Sequence, residues 1–237
     1  MRQIFLDTET TGFNANLAQN PDRMVEIGCV ELVNRKLTGN NLHFYLNPER
    51  ESDEGALRVH GLTTEFLSDK PKFSAIAKEL LDYVAGAEII IHNAPFDISF
   101  LDAELARAGH QPFKKYIASV TDTLVLAKEM FPGKRNSLDA LCDRLEVDNS
   151  GRTLHGALLD AELLADVYIN MTRGQDALLM EVGAPSESGV KVVKVDLRGF
   201  DLPVVAANAQ ELAAHDEVLV QMDKSSGGKT VWSVKSK

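Results

Sequence analysis

The chain has 237 residues, of which 44% are hydrophobic and 25% are charged, a composition typical of one substantial globular core with a smaller appendage. No stretch approaches the roughly 20 consecutive apolar residues that a membrane span requires, so we expect a soluble, cytoplasmic protein with no membrane partner. The net charge of -10 argues against tight autonomous binding to nucleic acid, because such binding comes mainly from Lys and Arg that neutralise phosphates. A carboxylate cluster that holds divalent cations would invert this sign locally.

The first part of the chain predicts three antiparallel strands. Apolar and β-branched residues form short runs at 4–7, 25–32 and 42–46. The segment between the second and third runs contains Gly39 and has the composition of a turn. The chain therefore begins with a small antiparallel sheet.

A helix and a strand-helix unit are predicted next. Apolar residues at helical spacing predict a helix over 73–84. The consecutive Ile89, Ile90 and Ile91 predict a buried strand over 88–92, and Pro95 at a first helical position opens a helix that runs to about Ala108. A strand followed by a helix indicates a parallel βαβ unit.

The alternation of strands and helices continues to residue 171. One further strand and three helices are predicted, at 117–122, 124–130, 137–145 and 157–171. This order indicates an α/β domain whose mixed sheet is flanked by helices. Beyond it, the composition is that of a linker and a small second module. The predicted divisions are a domain of residues 1–174, a connecting segment of residues 175–190 and a module of residues 191–237.

The two cysteines, Cys29 and Cys142, lie far apart in the sequence, each within an apolar segment. They lack the paired spacing of a zinc or redox site. We therefore expect both to be buried free thiols.

Three carboxylates follow predicted strands. Asp7 and Glu9 lie at the end of the first strand with one residue between them. They therefore project from the same face and make half of a cation site. A solvated acidic turn is the alternative for this pair considered alone. Asp97 lies in the first helical turn after the strand at 88–92, near the carboxyl end of that strand, where α/β sheets place their functional sites.

His155 and Asp160 form the third group of candidates. Five residues correspond to about 500° of helical rotation, so the two side chains cannot point at one spot from the middle of a helix. We therefore place His155 in the entry before the last helix, with Gly156 as a hinge and Asp160 in the first turns. A histidine above a carboxylate-held cation is suited to take a proton from water, since its unperturbed pKa is about 6.5. An isolated surface histidine is the alternative.

Three motifs carry a resemblance to a known family. DTETTG, HNAPFD and HGALLDA resemble, in this order, the motifs of the exonuclease superfamily with four acids and a histidine; they span 7–12, 92–97 and 155–161. The chain looks still closer to the epsilon proofreading subunits of bacterial DNA polymerase III, through the segments 33–48, 130–142 and 152–168. The resemblance implies a ribonuclease H-like fold and a 3′ to 5′ DNA exonuclease that releases mispaired terminal nucleotides as nucleoside 5′-monophosphates.

The resemblance also implies a two-metal site. Four carboxylates without a thiolate cluster suit two Mg²⁺ or Mn²⁺ ions better than zinc. Asp7 would bridge the ions, Glu9 and Asp160 would hold the ion beside the nucleophile, and Asp97 would hold the second ion directly or through water. Asp7, Glu9 and Asp160 would also lie against the substrate, and His155 would be the general base.

Contacts to the terminal nucleotide are implied by the same resemblance. His60 resembles the substrate-binding histidine of the family, and Phe13 and Val59 are candidates to pack on the terminal base. Core packing is the alternative for the two apolar residues. The family has a glutamate where Gly55 stands here, beside Glu54, which leaves the contact to the 3′-hydroxyl open.

Other polar residues are expected to support the site. His92 is interpreted as an orienting hydrogen-bond partner at a strand end. Asp122 and Asp139 are interpreted as acids that cap helices or support the metal ligands. His43 is expected at the surface.

The residues after 174 resemble partner-binding segments of the family. Gln175, Leu178 and Leu179 resemble a peptide that binds the sliding clamp, with a frayed helix end as the alternative. The segments 202–219 and 225–232 resemble the tail that binds the polymerase alpha subunit. The expected partners are thus a DNA 3′ end, the alpha subunit and the clamp, with a small third core subunit also to be considered.

Two other functions remain open from the sequence. The first is an RNA 3′ to 5′ exonuclease of the same superfamily, which would carry the same four acids and histidine. The second is a non-catalytic scaffold that links polymerase and clamp. The intact set of acids and histidine argues against the scaffold.

Overall fold

The computed structural model describes residues 1–16, 19–151, 154–173 and 207–227. Its contacts divide the chain into two units, Met1–Gly183 and Ala184–Lys237. The predicted clamp-binding residues, Gln175, Leu178 and Leu179, lie outside the described residues. In the described ranges, no helix is long and apolar enough to cross a membrane.

The first unit is built on a six-stranded mixed sheet. Its strands are β1 (Arg2–Thr10), β2 (Met24–Val33), β3 (Lys36–Leu37), β4 (Leu42–Tyr45), β5 (Glu88–Ile91) and β6 (Ser119–Asp122). The strand order is β3-β2-β1-β5-β6, and β4 pairs with β2. β1 is antiparallel to β2 and parallel to β5, which is parallel to β6. The mixed sheet predicted from the sequence is therefore confirmed.

Seven helices and one 3₁₀ turn, Phe113–Lys115, accompany the sheet in the described part of the first unit. The helices are α1 (Glu54–His60), α2 (Thr64–Leu67), α3 (Phe73–Val84), α4 (Ala94–Arg107), α5 (Thr123–Met130), α6 (Leu138–Leu145) and α7 (Ala157–Met171). The sequence did not predict α1 and α2, which are short and bury few residues. In the second unit, α8 (Ala209–Ser226) is an exposed helix that was also not predicted.

Hydrophobic residues pack on both faces of the sheet. Side chains alternate along β1, so Ile4 and Leu6 join the larger cluster, which contains residues of α3 and α4, while Phe5 joins a second cluster with residues of α7. A third cluster joins α7 to α5 and α6. Cys29 and Cys142 are buried free thiols, as the sequence predicted.

The parallel strands determine where the candidate residues lie. β1, β5 and β6 run in one direction, so their carboxyl ends meet at the same edge of the sheet. Asp7 and Glu9 belong to the end of β1, and Asp122 is the last residue of β6. Helix α4 begins at Ala94, three residues after the end of β5 and one residue before Pro95. The fold thus brings chemistry-bearing residues from separate parts of the chain to one edge.

Candidate active site

A close approach between α7 and the sheet lies opposite Asp7. Across β1 and β2, Asp7 pairs with Gly28, and opposite residues of an antiparallel pair share a face. A Cβ atom at Gly28 would lie only 2.3 Å from the backbone nitrogen of Leu158, in the first turn of α7. The absence of a side chain at Gly28 therefore lets α7, and with it Asp160, approach the acids of β1.

Glu9, His155 and Asp160 come together at this edge. One potential ligand atom from each of the three lies within 4.8 Å of the other two. His155 Nδ1 lies 3.2 Å from Asp160 Oδ2, and the His155 side chain is 44% exposed while the Asp160 side chain is 5% exposed. Two buried carboxylates and a half-exposed imidazole thus form a compact donor set that opens toward solvent.

His155 reaches Asp160 because it lies outside the helix. Gly156 is the residue that precedes α7, with extended backbone angles (φ -149°, ψ 127°), so the rotation of 100° per residue does not apply to His155. The backbone N–H of His155 donates to the carbonyl of Val59 at 3.1 Å. The segment that carries the histidine is thereby tied to α1.

Asp97, in the first turn of α4, contacts β1 but is not part of the cluster of Glu9, His155 and Asp160. Its side chain is buried, and Thr8, which lies between Asp7 and Glu9, donates a hydroxyl hydrogen bond to Asp97 Oδ1 at 2.8 Å. Burial, together with a smaller effect of the Asp122 charge, raises the pKa of Asp97 to about 7 despite this bond. A carboxylate held in this environment lacks compensating positive charge. A divalent cation would supply that charge, so the oxygen-rich donor set fits a hard metal ion.

His92 and Asp122 make supporting hydrogen bonds near the start of α4. His92 Nδ1 lies 2.9 Å from Thr123 Oγ1, and burial lowers the pKa of His92. Asp122 is the N-cap of α5, where its carboxylate accepts the N–H groups of Leu124 and Val125. Both residues therefore make the kind of supporting contact that was predicted for them.

The candidates for contact with a substrate differ in exposure. Phe13 is 82% exposed and Val59 is 42% exposed, so neither is a core residue. His60 is buried, its Nδ1 accepts the N–H of Leu62 at 2.9 Å, and burial lowers its pKa against the opposing effects of Glu26 and the Thr10 backbone. A substrate-binding role of His60 stays a prediction.

Position 55 has room for a larger side chain. Gly55 lies in the first turn of α1, and a Cβ added there would meet no atom within 4 Å. The neighbouring Glu54 is exposed. The glycine at this position is therefore not required by packing.

One buried acid beside the site was missed by the sequence analysis. Glu26 pairs with Glu9 across β1 and β2, is buried, and lies 2.7 Å from His43 Nε2 through Oε1. His43, which was expected at the surface, is 29% exposed, and its ring is hydrogen-bonded to this carboxylate. The available signal was Glu26 itself, one of two glutamates in the mostly apolar run of β2.

Known proteins resemble the chain over nearly its whole length. Residues 4–168 match the exonuclease family. The chain is 50% identical over 239 residues to DNA polymerase III subunit epsilon of Pasteurella multocida (strain Pm70), covering 98% of this chain and 93% of that protein. It is also 50% identical over 236 residues to DNA polymerase III subunit epsilon of Escherichia coli (strain K12), covering 98% of this chain and 97% of that protein.

Solved structures of exonucleases share the fold. Exonuclease X in complex with 5′ overhanging duplex DNA has a TM-score of 0.57 and 24% identity, covering 73% of this chain and 93% of that chain. The zinc-bound complex of Escherichia coli exonuclease I with single-stranded DNA has a TM-score of 0.63 and 20% identity, covering 75% of this chain and 42% of that chain. The likeness confirms the predicted ribonuclease H-like fold class.

Proposed function

The chain belongs to the exonuclease family and, within it, to the DNA polymerase III epsilon subunits, and from this membership we propose how its site removes mispaired nucleotides from a DNA 3′ end. It is an enzyme, a 3′ to 5′ DNA exonuclease with a proofreading function, as the motifs predicted. The observation that carries the mechanism is the cluster of Glu9, His155 and Asp160. The identity to epsilon subunits favours DNA over the RNA alternative, and the assembled cluster argues against a non-catalytic scaffold.

Members of this family use divalent metal ions, and we propose that this chain holds two, Mg²⁺ or Mn²⁺. Asp7 would bridge them, Glu9 and Asp160 would hold the ion beside the attacking water, and Asp97 would hold the second ion. Carboxylate oxygens are the ligands that these hard cations prefer. When bound, the two ions would stabilise the attacking and leaving oxygens of an in-line displacement at phosphorus.

His155 is the proposed general base. Its ring is half-exposed, so an attacking water can approach it, and its Nδ1 is 3.2 Å from Asp160 Oδ2. A carboxylate in this position orients the imidazole ring and stabilises the imidazolium that forms when the ring takes a proton. The products would be a nucleoside 5′-monophosphate and a strand that is one nucleotide shorter.

Exposed apolar side chains are proposed to receive the terminal base. Phe13 and Val59 are both exposed, and packing against a base face is tolerant of sequence, as proofreading requires. We also assign His60 to substrate binding. Since the Leu62 N–H occupies its Nδ1, a contact to the nucleotide would use the Nε2 side of the ring.

The proposed partners follow from the segments after residue 174. We propose that 191–237 binds the polymerase alpha subunit and that Gln175, Leu178 and Leu179 bind the sliding clamp, with 1–174 sufficient for catalysis. α8, with its capping box at Asn208 and its exposed apolar side chains, lies in the proposed alpha-binding region. Tethering to the polymerase would raise the local concentration of the strand end, which offsets the unfavourable net charge. A small third core subunit and a cytoplasmic location stay predictions.

The central experiment compares substrates for the full-length protein. DNA duplexes with a mispaired or paired 3′ end and a short RNA oligomer are incubated with Mg²⁺, and mononucleotide release is measured with and without an alpha subunit. We expect the mispaired DNA end to be degraded fastest, with Asp7→Ala as the inactive control. Faster degradation of the RNA oligomer would overturn the assignment of DNA as substrate.

A second experiment separates catalysis from recruitment. A protein that ends at residue 174 should still degrade a single-stranded DNA end in Mg²⁺ but should lose binding to the alpha subunit. Replacement of Gln175 and Leu178 by alanine should weaken only the binding of the clamp. Undiminished affinity of the truncated protein for the alpha subunit would contradict this division of labour.

A further inference from the structure

The Asp122 carboxylate accepts backbone N–H groups from two different helices. At its own helix, α5, Oδ1 accepts from Leu124 at 2.9 Å and from Val125 at 3.4 Å. The same Oδ1 accepts from Asn93 at 3.1 Å, and Oδ2 accepts from Ala94 at 3.2 Å. The first pair is an ordinary helix cap. The second pair reaches across to the start of α4, because β5 and β6 are neighbours with Ile91 opposite Asp122.

Helix α4 has no cap of its own. Its N-cap residue, Asn93, makes no capping hydrogen bond with its side chain and has a left-handed backbone (φ 67°, ψ 52°). Asparagine tolerates this conformation better than most residues other than glycine, and surrounding contacts are still needed to fix it. Pro95 brings no N–H to the first turn. The hydrogen bonds from Asn93 and Ala94 to Asp122 are therefore what anchors this end of the helix.

Asp97 lies on the turn that Asp122 anchors. It is three residues after Ala94, is buried, and is held from its other side by the Thr8 hydroxyl. A small rotation of the start of α4 would move its carboxylate relative to Asp7 and Glu9. Misplacement of a reacting group by about 1 Å costs enzymes up to roughly 10²-fold in rate.

We propose that Asp122 is a positioning residue for Asp97, acting through the backbone N–H groups of Asn93 and Ala94. This inference rests on the proposed role of Asp97 as a metal ligand. Asp122 holds the left-handed turn and the first turn of α4 in the orientation that keeps Asp97 against Thr8, which lies between Asp7 and Glu9 on β1. Its capping of α5 is a separate task of the same carboxylate.

Asp122→Asn separates the two tasks. The amide has the shape of the carboxylate, and its one oxygen is favoured at the Oδ1 position, where three N–H groups converge. The amide nitrogen then replaces Oδ2 and faces the N–H of Ala94, so the α5 cap and the bond from Asn93 are kept while the bond from Ala94, in the first turn of α4, is lost. Ser137→Ala is the control, since it removes the cap of α6, in which the Ser137 hydroxyl oxygen accepts the Ala140 N–H at 3.4 Å, without touching α4.

The first measurement is hydrogen exchange of the full-length, metal-free protein. We expect faster exchange at Ala94 in Asp122→Asn, with exchange at Leu124 unchanged, and no change at either amide in Ser137→Ala. This result does not depend on catalysis. Unchanged exchange at Ala94 would refute the anchoring role.

The second measurement is Mn²⁺ affinity by calorimetry, together with kcat and KM for a single-stranded DNA end. Asp122→Asn should weaken Mn²⁺ binding by roughly 10-fold or more and lower kcat with little change in KM, as loss of a residue that orients a metal ligand does. In an Asp97→Ala background, Asp122→Asn should have no further effect on Mn²⁺ affinity. An equal effect in both backgrounds would show general destabilisation and overturn the proposal. Should Asp122→Asn not fold, Asp122→Thr provides the same comparison, because its hydroxyl can still cap α5.

If Asp97→Ala binds Mn²⁺ like the unaltered protein, the proposed role of Asp97 fails and this proposal fails with it. The exchange of Ala94 would then still report whether Asp122 anchors α4. The two failures are therefore distinguishable.

Discussion

The helix starts that carry Asp97 and Asp160 are held in opposite ways. The start of α4 is bound by Asp122 from a neighbouring strand, and Asp97 is buried and hydrogen-bonded to Thr8. The start of α7 has no side-chain cap, and next to it stands the half-exposed His155. One acid is thus enclosed by protein, and the other lies beside a side chain that water can reach.

This difference matches the two tasks of the proposed mechanism. A metal ligand needs a constant position, which the contacts around α4 provide, while a proton acceptor needs access to water, which the entry to α7 provides. The start of α7 is positioned by close packing at Gly28 instead of by a capping side chain. Substitutions at Asp160, His155 and Gly28 test the α7 side, and substitutions at Asp122 test the α4 side.

Asp160→Asn should have the largest effect at the α7 side. Loss of the carboxylate charge removes both a proposed ligand and the partner of His155, so mononucleotide release should be abolished. Asp166→Asn, an exposed position on the same helix, is the matched control and should leave the rate unchanged. A rate for Asp160→Asn near that of the control would remove Asp160 from the metal site.

His155→Ala should lower turnover by roughly 10²- to 10⁴-fold, the contribution of a positioned proton-transfer group. Because the proposed ligands are carboxylates, Mn²⁺ affinity measured by calorimetry should be largely retained. His110→Ala serves as the control. Loss of Mn²⁺ binding as severe as that in Asp7→Ala would instead make His155 a ligand.

Gly28→Ala should displace α7 from the sheet. The new methyl group would collide with backbone atoms of Ala157 and Leu158, so we expect about 1–3 kcal/mol of destabilisation and a fall in activity of up to roughly 10²-fold. Gly55→Ala is the matched control, because the same change meets open space on α1 and should stabilise the helix by about 0.5–1 kcal/mol. Chemical denaturation and rate measurements check both. Normal stability and activity in Gly28→Ala would disprove the close-packing explanation.

The smallest expected effect concerns pH and the segment that supports His155. Burial lowers the pKa of His60 below its ordinary value of 6.5, so His60 contributes stability that is present above pH 6.5 and is lost as the pH falls through the lowered pKa. The metal-free protein should therefore lose less stability between pH 7 and pH 5 when His60 is replaced by Gln. Thermal unfolding at several pH values measures this difference. Parallel curves for the two proteins would show that His60 does not titrate differently on folding.

Most of the sheet and its main helices could be predicted, because their signals are local. The helical spacing of apolar residues in 73–84 and the three consecutive isoleucines of β5 each specify an element without reference to the rest of the chain. The short helices α1 and α2 were missed because they bury too few residues to leave a period. The start of α4 was predicted one residue late, because the contact that stabilises it comes from Asp122.

The sequence by itself predicted which residues would bear the chemistry. Asp7 and Glu9 at a strand end, Asp97 in a first turn, and His155 just before a helix all follow from periodicity and motif order. Tertiary structure alone decided how they meet. Asp122 accepts the backbone N–H of Asn93, which lies 29 residues earlier in the chain. Gly28 leaves room for the first turn of α7 at Leu158, 130 residues later, and Glu26 on β2 bonds to His43 on the neighbouring strand β4. These contacts depend on which strands become neighbours, and that is settled by burial of the whole core, which no local pattern records.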